Sequence, residues 1–501
     1  MLTKTDPDDL QGYLSDASNM AGGSVASVAF PESAAEIAEI LADASRSRTP
    51  ITVSGAGTGI VGGRVPFGGI VLATDRLNRI GEIDRDATGG GHGRAEAGVV
   101  LADYQRAVTA NGLFYPPDPT EWSCFLGGTV ATNASGARTF KYGPTRNYVR
   151  SLQLAFPTGQ QIELKRGEIR ASDQGLIRIP LPDGSTLDAQ LPTYRMPRTR
   201  KHASGYFVAP GMDAIDLFIG SEGTLGVITA VETELLDQPQ GLLSGVVFFA
   251  AEPDLLAFVA DARTQSLATR ETKHSGVDAR ALEYFDARAL DFLRGRFPNI
   301  PESAAGAIFF EQEITPESED DLAGAWLALT EAHRALADDS WFATNERDQQ
   351  ALRDFRHALP VLVNEWLTHH GQRKVSTDMA VPDVEFPAML RFYQDQLNSG
   401  GFEYVIFGHI GDNHVHVNIL PKNEAEAARA RELYAVFIRR AVGVGGTISA
   451  EHGIGKLKRE YLRELYGDEH LREMARLKHT FDPAGILGRG IMFDERLLET
   501  D

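Results

Sequence analysis

The sequence predicts an α+β protein of two large domains closed by a helical C-terminal segment, and three observations predict it. Strand-like and helix-like runs alternate up to about residue 235. From about residue 238, apolar strands are separated by long helical runs, the rhythm of helices laid over an antiparallel sheet. From about residue 425 the chain is mostly helical and ends in FDPAGILGRGIMF. The expected domains are therefore 1–237, 238–436 and 437–501, with Asp237-Gln238-Pro239-Gln240-Gly241 as the first linker.

Residues 31–45 read as a helix opened by Pro31, with Ile37, Ile40 and Leu41 on one apolar face. PITVSG follows as a short strand ending in glycine. Residues 100–112 form a second helix, closed by Asn111-Gly112. VRSLQLAFPTG, GVITAVETELL, LSGVVFFA and GAIFFEQEI are strands, and residues 318–338 are a helix.

A length of 501 residues suits two or three domains, and 43% hydrophobic with 24% charged residues is ordinary for a soluble globular chain. No apolar run approaches the roughly 20 residues of a membrane span, and the first residues lack a secretory pattern. A cytoplasmic protein, or one peripheral to a membrane, is expected. The net charge of −20 disfavours nucleic acid as a partner. The single cysteine, Cys124, excludes an internal disulfide and an iron–sulfur cluster held by four thiolates of this chain. It reads as a buried small hydrophobe.

The loop at 51–69 contains Gly57-x-Gly59-x-x-Gly62 directly after a strand. A dinucleotide fingerprint would need a helix next, but Gly63, Pro66, Gly68 and Gly69 follow, so the Rossmann assignment fails. Glycines with Thr58 can still turn backbone N–H groups toward a phosphate. Two more segments of small residues follow, at 115–149 and 219–229. Three such segments suit one long ligand threaded between subdomains.

The stretch FGHIGDNHVHVNILP at 407–421 predicts a hairpin. A two-residue Asp412-Asn413 loop would oppose His409 to His416 on one face, while a three-residue loop would shift that pairing. Two imidazoles so placed can bind one metal ion, and Glu451-His452, among glycines in VGGTISAEHGIGKLKREYL, offers the further ligand a site requires.

These segments, in this order, resemble the FAD-binding (PCMH-type) domain of the vanillyl-alcohol-oxidase-type flavoproteins, in the branch of D-lactate dehydrogenase, the glycolate oxidase FAD subunit and D-2-hydroxyglutarate dehydrogenase. The resemblance runs from about residue 25 to 495. It implies a two-subdomain FAD-binding domain, a cap domain with an antiparallel sheet flanked by helices, and a C-terminal segment returning to the flavin. FAD would be held non-covalently. Its pyrophosphate would lie on Gly55, Gly57, Thr58, Gly59 and Gly62, and its isoalloxazine near Pro117, Asp118, Gly127, Gly128, Thr129, Asn133, Ser135, Gly136 and Tyr142. The adenine end would lie near Glu222, Gly226 and Ile228.

By the same resemblance His409, His416 and Glu451 would hold a divalent metal, zinc first, with manganese, iron or cobalt fitting as well. His452 would be the general base and a substrate contact. Arg356 and Lys374 would bind the substrate carboxylate, chosen over Arg353 and Arg373. The implied activity is oxidation of a D-2-hydroxy acid, such as lactate or 2-hydroxyglutarate, to the 2-oxo acid. Electrons would pass to an external acceptor: a quinone, a cytochrome, an electron-transfer flavoprotein, a partner subunit or dioxygen. A homodimer is compatible. A metal-free flavin oxidase of another alcohol, a metal-dependent hydrolase and a non-catalytic flavin-binding subunit are the alternatives. The chain departs from the family pattern twice. Asp412-Asn413-His414 stands where Asp-Gly-Asn is usual, making His414 an expected structural or outer group, and Gly488-Arg489 stands where Asn-Pro is usual.

Overall fold

A computed structural model describes residues 2–87 and 89–498. Strands Ser27–Phe30, Ile70–Ala73 and Ile51–Ser54 are parallel neighbours, with Leu2–Lys4 antiparallel at the edge. Their connecting helix, Ala34–Ser47, buries Ile37, Ile40 and Leu41 as expected. It begins three residues later than Pro31. Ser33 caps it, accepting from the Glu36 N–H, while the Glu36 carboxylate accepts from the Glu32 N–H, an arrangement close to a capping box.

The second sheet is antiparallel, in the order Ile80–Arg85, Gly91–Glu96, Val227–Asp237, Val149–Ala155, Gln161–Lys165, with Leu113–Phe114 also on the central strand. The chain then crosses 238–240 into a third sheet. Its seven strands, all antiparallel, run in the order Trp341–Ala343, Gly241–Phe249, Gly306–Ile314, Ala279–Asp286, Tyr404–Gly408, His416–Ile419, Val375–Ser376. This sheet is buried on both faces. Val247 and Phe249 enter one core, and Val246 and Phe248 the other, which explains why these strands are continuous apolar runs.

The boundary expected at 436/437 falls within the continuous helix Glu424–Gly443, which buries Ala427, Ala430, Phe437, Ile438 and Ala441. Helix Arg459–Phe481, broken at Gly467, then carries the chain back to the first sheet. There Ile51 N–H donates to Ile486 and Gly488 N–H donates to Ile51, while buried Lys478 and Asp482 pair at 2.8 Å and fix the turn. No helix among the described residues is long and apolar enough to cross a membrane.

Two contacts place the functional loops. The segment after Glu451-His452 lies across the glycine-rich loop, with the Lys456 and Leu457 N–H groups both donating to the Val61 carbonyl. A Cβ at Gly455 would come within 2.1 Å of that same oxygen, and its φ of +52° is left-handed, so only glycine lets the two loops close.

Candidate functional site

A cavity of about 400 Å³ is walled by the loop after strand Ile51–Ser54, by helix Leu126–Ala131 with the residues that follow it, and by 222–228. Gly55, Gly57, Thr58 and Gly59 line it from the first segment. Gly127, Gly128, Thr129 and Ser135 line it from the second, and Glu222, Gly226 and Ile228 from the third. A Cβ added at Gly59 or Gly128 would meet no protein atom within 4 Å, so a side chain there would take up cavity space. Open glycine backbone in three walls fits an FAD molecule. Cys124 also lines the cavity, and burial pushes its thiol up to about 12.

The other expected cofactor residues do not line this cavity. Gly62 faces the Met20 sulfur. Asn133, in a left-handed conformation, accepts the Arg146 N–H through its side chain. A Cβ at Gly136 would lie 2.0 Å from the Asp118 carbonyl, so this glycine serves the packing of 118 against 136. Asp118 pairs with Arg138 at 3.3 Å, the Pro117 carbonyl accepts from Gln105, and the Tyr142 ring packs edge-on to Phe114.

Glu451 and His452 line the same cavity and also belong to a buried polar cluster beyond it. Glu451 Oε1 lies 3.5 Å from His409 Nε2, 3.2 Å from His416 Nε2 and 3.5 Å from His452 Nε2. Its Oε2 accepts from Lys201 Nζ at 2.8 Å and faces Ser135 Oγ at 3.4 Å and His414 Nδ1 at 3.9 Å. Burial alone would raise the Glu451 carboxyl, but Lys201, His409 and His414 hold it well below the usual carboxylate range.

The expected hairpin exists, but its register differs. His416 opposes Phe407, not His409. The connection is longer than two residues because a 3₁₀ turn, Ile410–Asp412, and left-handed Asn413 fill it. His409 thus sits in the loop, where its ring still reaches Glu451, because Nδ1 is held at 2.7 Å by Glu283. Val415, Val417 and Ile419 are buried in the apolar core, as expected of the opposite face.

Asp378, a lone aspartate that carried no sequence signal, organises the other side. Its carboxylate accepts from the backbone N–H groups of Glu451 and His452, from Ser449 Oγ and from Lys458 Nζ. It also lies 3.3 Å from His452 Nδ1. Burial opposes its ionisation, yet His452, Lys458 and His414 hold it well below the usual range. Lys201 and Lys458 stand in basic runs, Arg198-Thr199-Arg200-Lys201 and Lys456-Leu457-Lys458-Arg459, that do not mark which charge turns inward, and Glu283 stands alone in an apolar strand. Glu222 accepts the N–H groups of Ile454 and Gly455, which fixes the Glu451-His452 loop against the cavity.

Arg356 comes within reach of the cluster through Glu283, donating from Nε at 3.2 Å. Lys374 stands on the loop before Val375–Ser376, the strand beside His416–Ile419, where desolvation lowers its ammonium from the usual range. Arg489 lines a separate cavity with Lys456 and Arg459, apart from the flavin-sized one.

Residues 25–165 match a model of FAD binding domains, and residues 251–491 match the C-terminal domain of FAD linked oxidases. A D-lactate dehydrogenase of Archaeoglobus fulgidus is 30% identical, over 92% of this chain and 90% of that one. A D-2-hydroxyglutarate dehydrogenase of Xanthomonas citri pv. viticola is 28% identical, over 98% and 94%. Among solved structures, an alkyldihydroxyacetonephosphate synthase superposes with a TM-score of 0.63 at 14% identity, covering 97% of this chain and 82% of that one, a likeness of fold.

Proposed function

The chain belongs to the FAD-linked oxidoreductases of the D-lactate and D-2-hydroxyglutarate dehydrogenase branch, and from that premise we propose that it oxidises a D-2-hydroxy acid to the 2-oxo acid with a divalent metal assisting. One observation carries the reading: adjacent Glu451 and His452 line the cavity that fits FAD and also touch the His409–His416 cluster. The redox cofactor and the polar cluster therefore share a wall, and a substrate between them meets both.

When bound, FAD supplies the two-electron acceptor and a divalent cation supplies Lewis acidity toward the hydroxyl oxygen. His409, His416 and Glu451 are the residues that would hold the cation. His452 accepts the hydroxyl proton through Nε2, while Asp378 orients its ring from Nδ1 and its backbone N–H. Arg356 supplies a cation beside Glu283 for the substrate carboxylate. The two electrons then leave to an external acceptor, since a chain with one cysteine holds no cluster of its own to store them.

Anaerobic bleaching of the bound flavin by a panel of D- and L-lactate, glycolate, malate and 2-hydroxyglutarate tests the reading. A D-2-hydroxy acid should bleach it and its L-enantiomer should not. In His452→Ala the rate should fall by about 10²- to 10⁴-fold with flavin retained. Bleaching at the native rate in that variant would remove His452 from the chemistry.

A further inference from the structure

Three histidines, not two, are arranged alike around Glu451. His409 gives Nδ1 to Glu283 and turns Nε2 to the Glu451 carboxylate. His416 gives Nδ1 to the Thr377 carbonyl at 3.0 Å and turns Nε2 to the same carboxylate. His414 puts Nε2 3.1 Å from Asp378 Oδ1 and turns Nδ1 toward Glu451 Oε2 at 3.9 Å. An outer acceptor on one nitrogen and a shared focus on the other is how metal-binding imidazoles are oriented. One donor atom from each of His409, His414, His416 and Glu451 can be chosen so that all lie within 4.8 Å of one another.

His414 is fully buried, and its Nδ1, turned toward Glu451, has no hydrogen-bond partner among the described residues. Lys201 donates to Glu451 and leaves that nitrogen unpaired. A histidine kept for packing would be expected to satisfy that nitrogen as well, because a buried polar atom left unpaired is destabilising.

We propose that His414 is a metal ligand, so that this chain holds its divalent cation with three imidazoles and one carboxylate. The inference rests on the metal-assisted reading above and extends it to the identity of the metal. Four protein donors complete the tetrahedron that zinc prefers and leave no position for the substrate hydroxyl. A six-coordinate cation such as Mn²⁺, Fe²⁺ or Co²⁺ keeps two positions, the number that the hydroxyl and carboxylate oxygens of a 2-hydroxy acid fill together. Zinc, the metal the sequence puts first, would then close the site.

The test uses the full-length flavoprotein, stripped by chelator and titrated with Co²⁺. X-ray absorption on the Co²⁺-loaded native protein should count three imidazole ligands. His414→Asn should keep its flavin, bind Co²⁺ at least about ten-fold more weakly and show an altered ligand-field spectrum. His414→Gln is the second variant should the first not fold. Two imidazoles in the native protein, or an unchanged affinity and spectrum in the variant, would assign His414 to packing and leave the metal reading standing. A native flavoprotein that binds no divalent cation would overturn both.

Discussion

The flavin-sized cavity and the histidine cluster meet at Glu451 and His452, yet they are made of different material. The cavity is lined by glycine-rich stretches that are each continuous in sequence, with small side chains such as Thr58, Thr129 and Ser135 among them. The cluster is walled by side chains drawn from separate segments around residues 201, 283, 378, 409–416 and 451–458. A backbone wall tolerates exchange of polar groups but not added bulk. A side-chain wall of balanced charges is sensitive to exchange of its polar groups, since removing one buried partner strands another.

The largest expected effect comes from bulk in the backbone wall. Gly128→Leu would project into space where no protein atom lies within 4 Å of the new Cβ. Flavin should be absent from the purified protein and turnover abolished, with circular dichroism unchanged. Flavin retained at native stoichiometry would mean that this cavity is not the cofactor's.

Next is charge in the side-chain wall. Lys201→Met removes the wholly buried ammonium that pairs with Glu451. The metal-free protein should lose roughly 3–5 kcal/mol in denaturant unfolding, because a buried carboxylate is left without its ammonium partner. Added divalent cation should restore part of the loss, and flavin content should not change. A destabilisation that no cation reverses would separate Lys201 from the metal-binding role of the cluster.

The smallest effect sharpens the contrast within one strand. Ala279–Asp286 carries Glu283, held between His409 and Arg356, and Asp286, which caps helix Ala287–Arg294 by accepting the Ala289 N–H at 2.7 Å. Burial raises the Asp286 carboxyl to about 7, against the pull of backbone N–H donors and Arg288. With a folded value above the unfolded one, the native state holds the proton more tightly. That contribution to stability is full below the unfolded pKa and is lost as pH rises to about 7. Asp286→Asn keeps a cap acceptor and removes the titration. Its stability should therefore decline less than the native protein's between about pH 4 and 7, by no more than about 4 kcal/mol. Parallel pH curves for the two proteins would contradict the assignment.

The same contrast governs how much could be read without coordinates. Glycine runs announce a backbone wall locally, so 55–59, 127–129 and 226–228 were legible, as were the sheet strands of the cap. Glu451-His452 and the histidine segment stood out because each packs several ligand-type residues into a few positions. Lys201 and Glu451 are 250 residues apart and meet only in the fold, and Asp378 and Glu283 are equally silent alone. The hairpin register differs for a local reason: Asp412-Asn413 carries turn chemistry, but left-handed Asn413 ends a 3₁₀ turn inside a connection longer than the two- or three-residue loops the sequence suggests. His414 reads in sequence as a structural or outer group, because only the three-dimensional arrangement shows that its Nδ1 faces Glu451 without a partner.

The clasp of Lys456 and Leu457 on the Val61 carbonyl has a consequence for the order of events in the cell. A ribosome delivers the glycine-rich loop early and its clasp some four hundred residues later. Until then the cavity lacks the wall that Glu451 and His452 provide, and flavin arriving on the nascent chain meets an open trough. A chain stopped upstream of residue 451 lacks that wall, and it also lacks Ile486 and Leu487, which pack in the core of the first sheet.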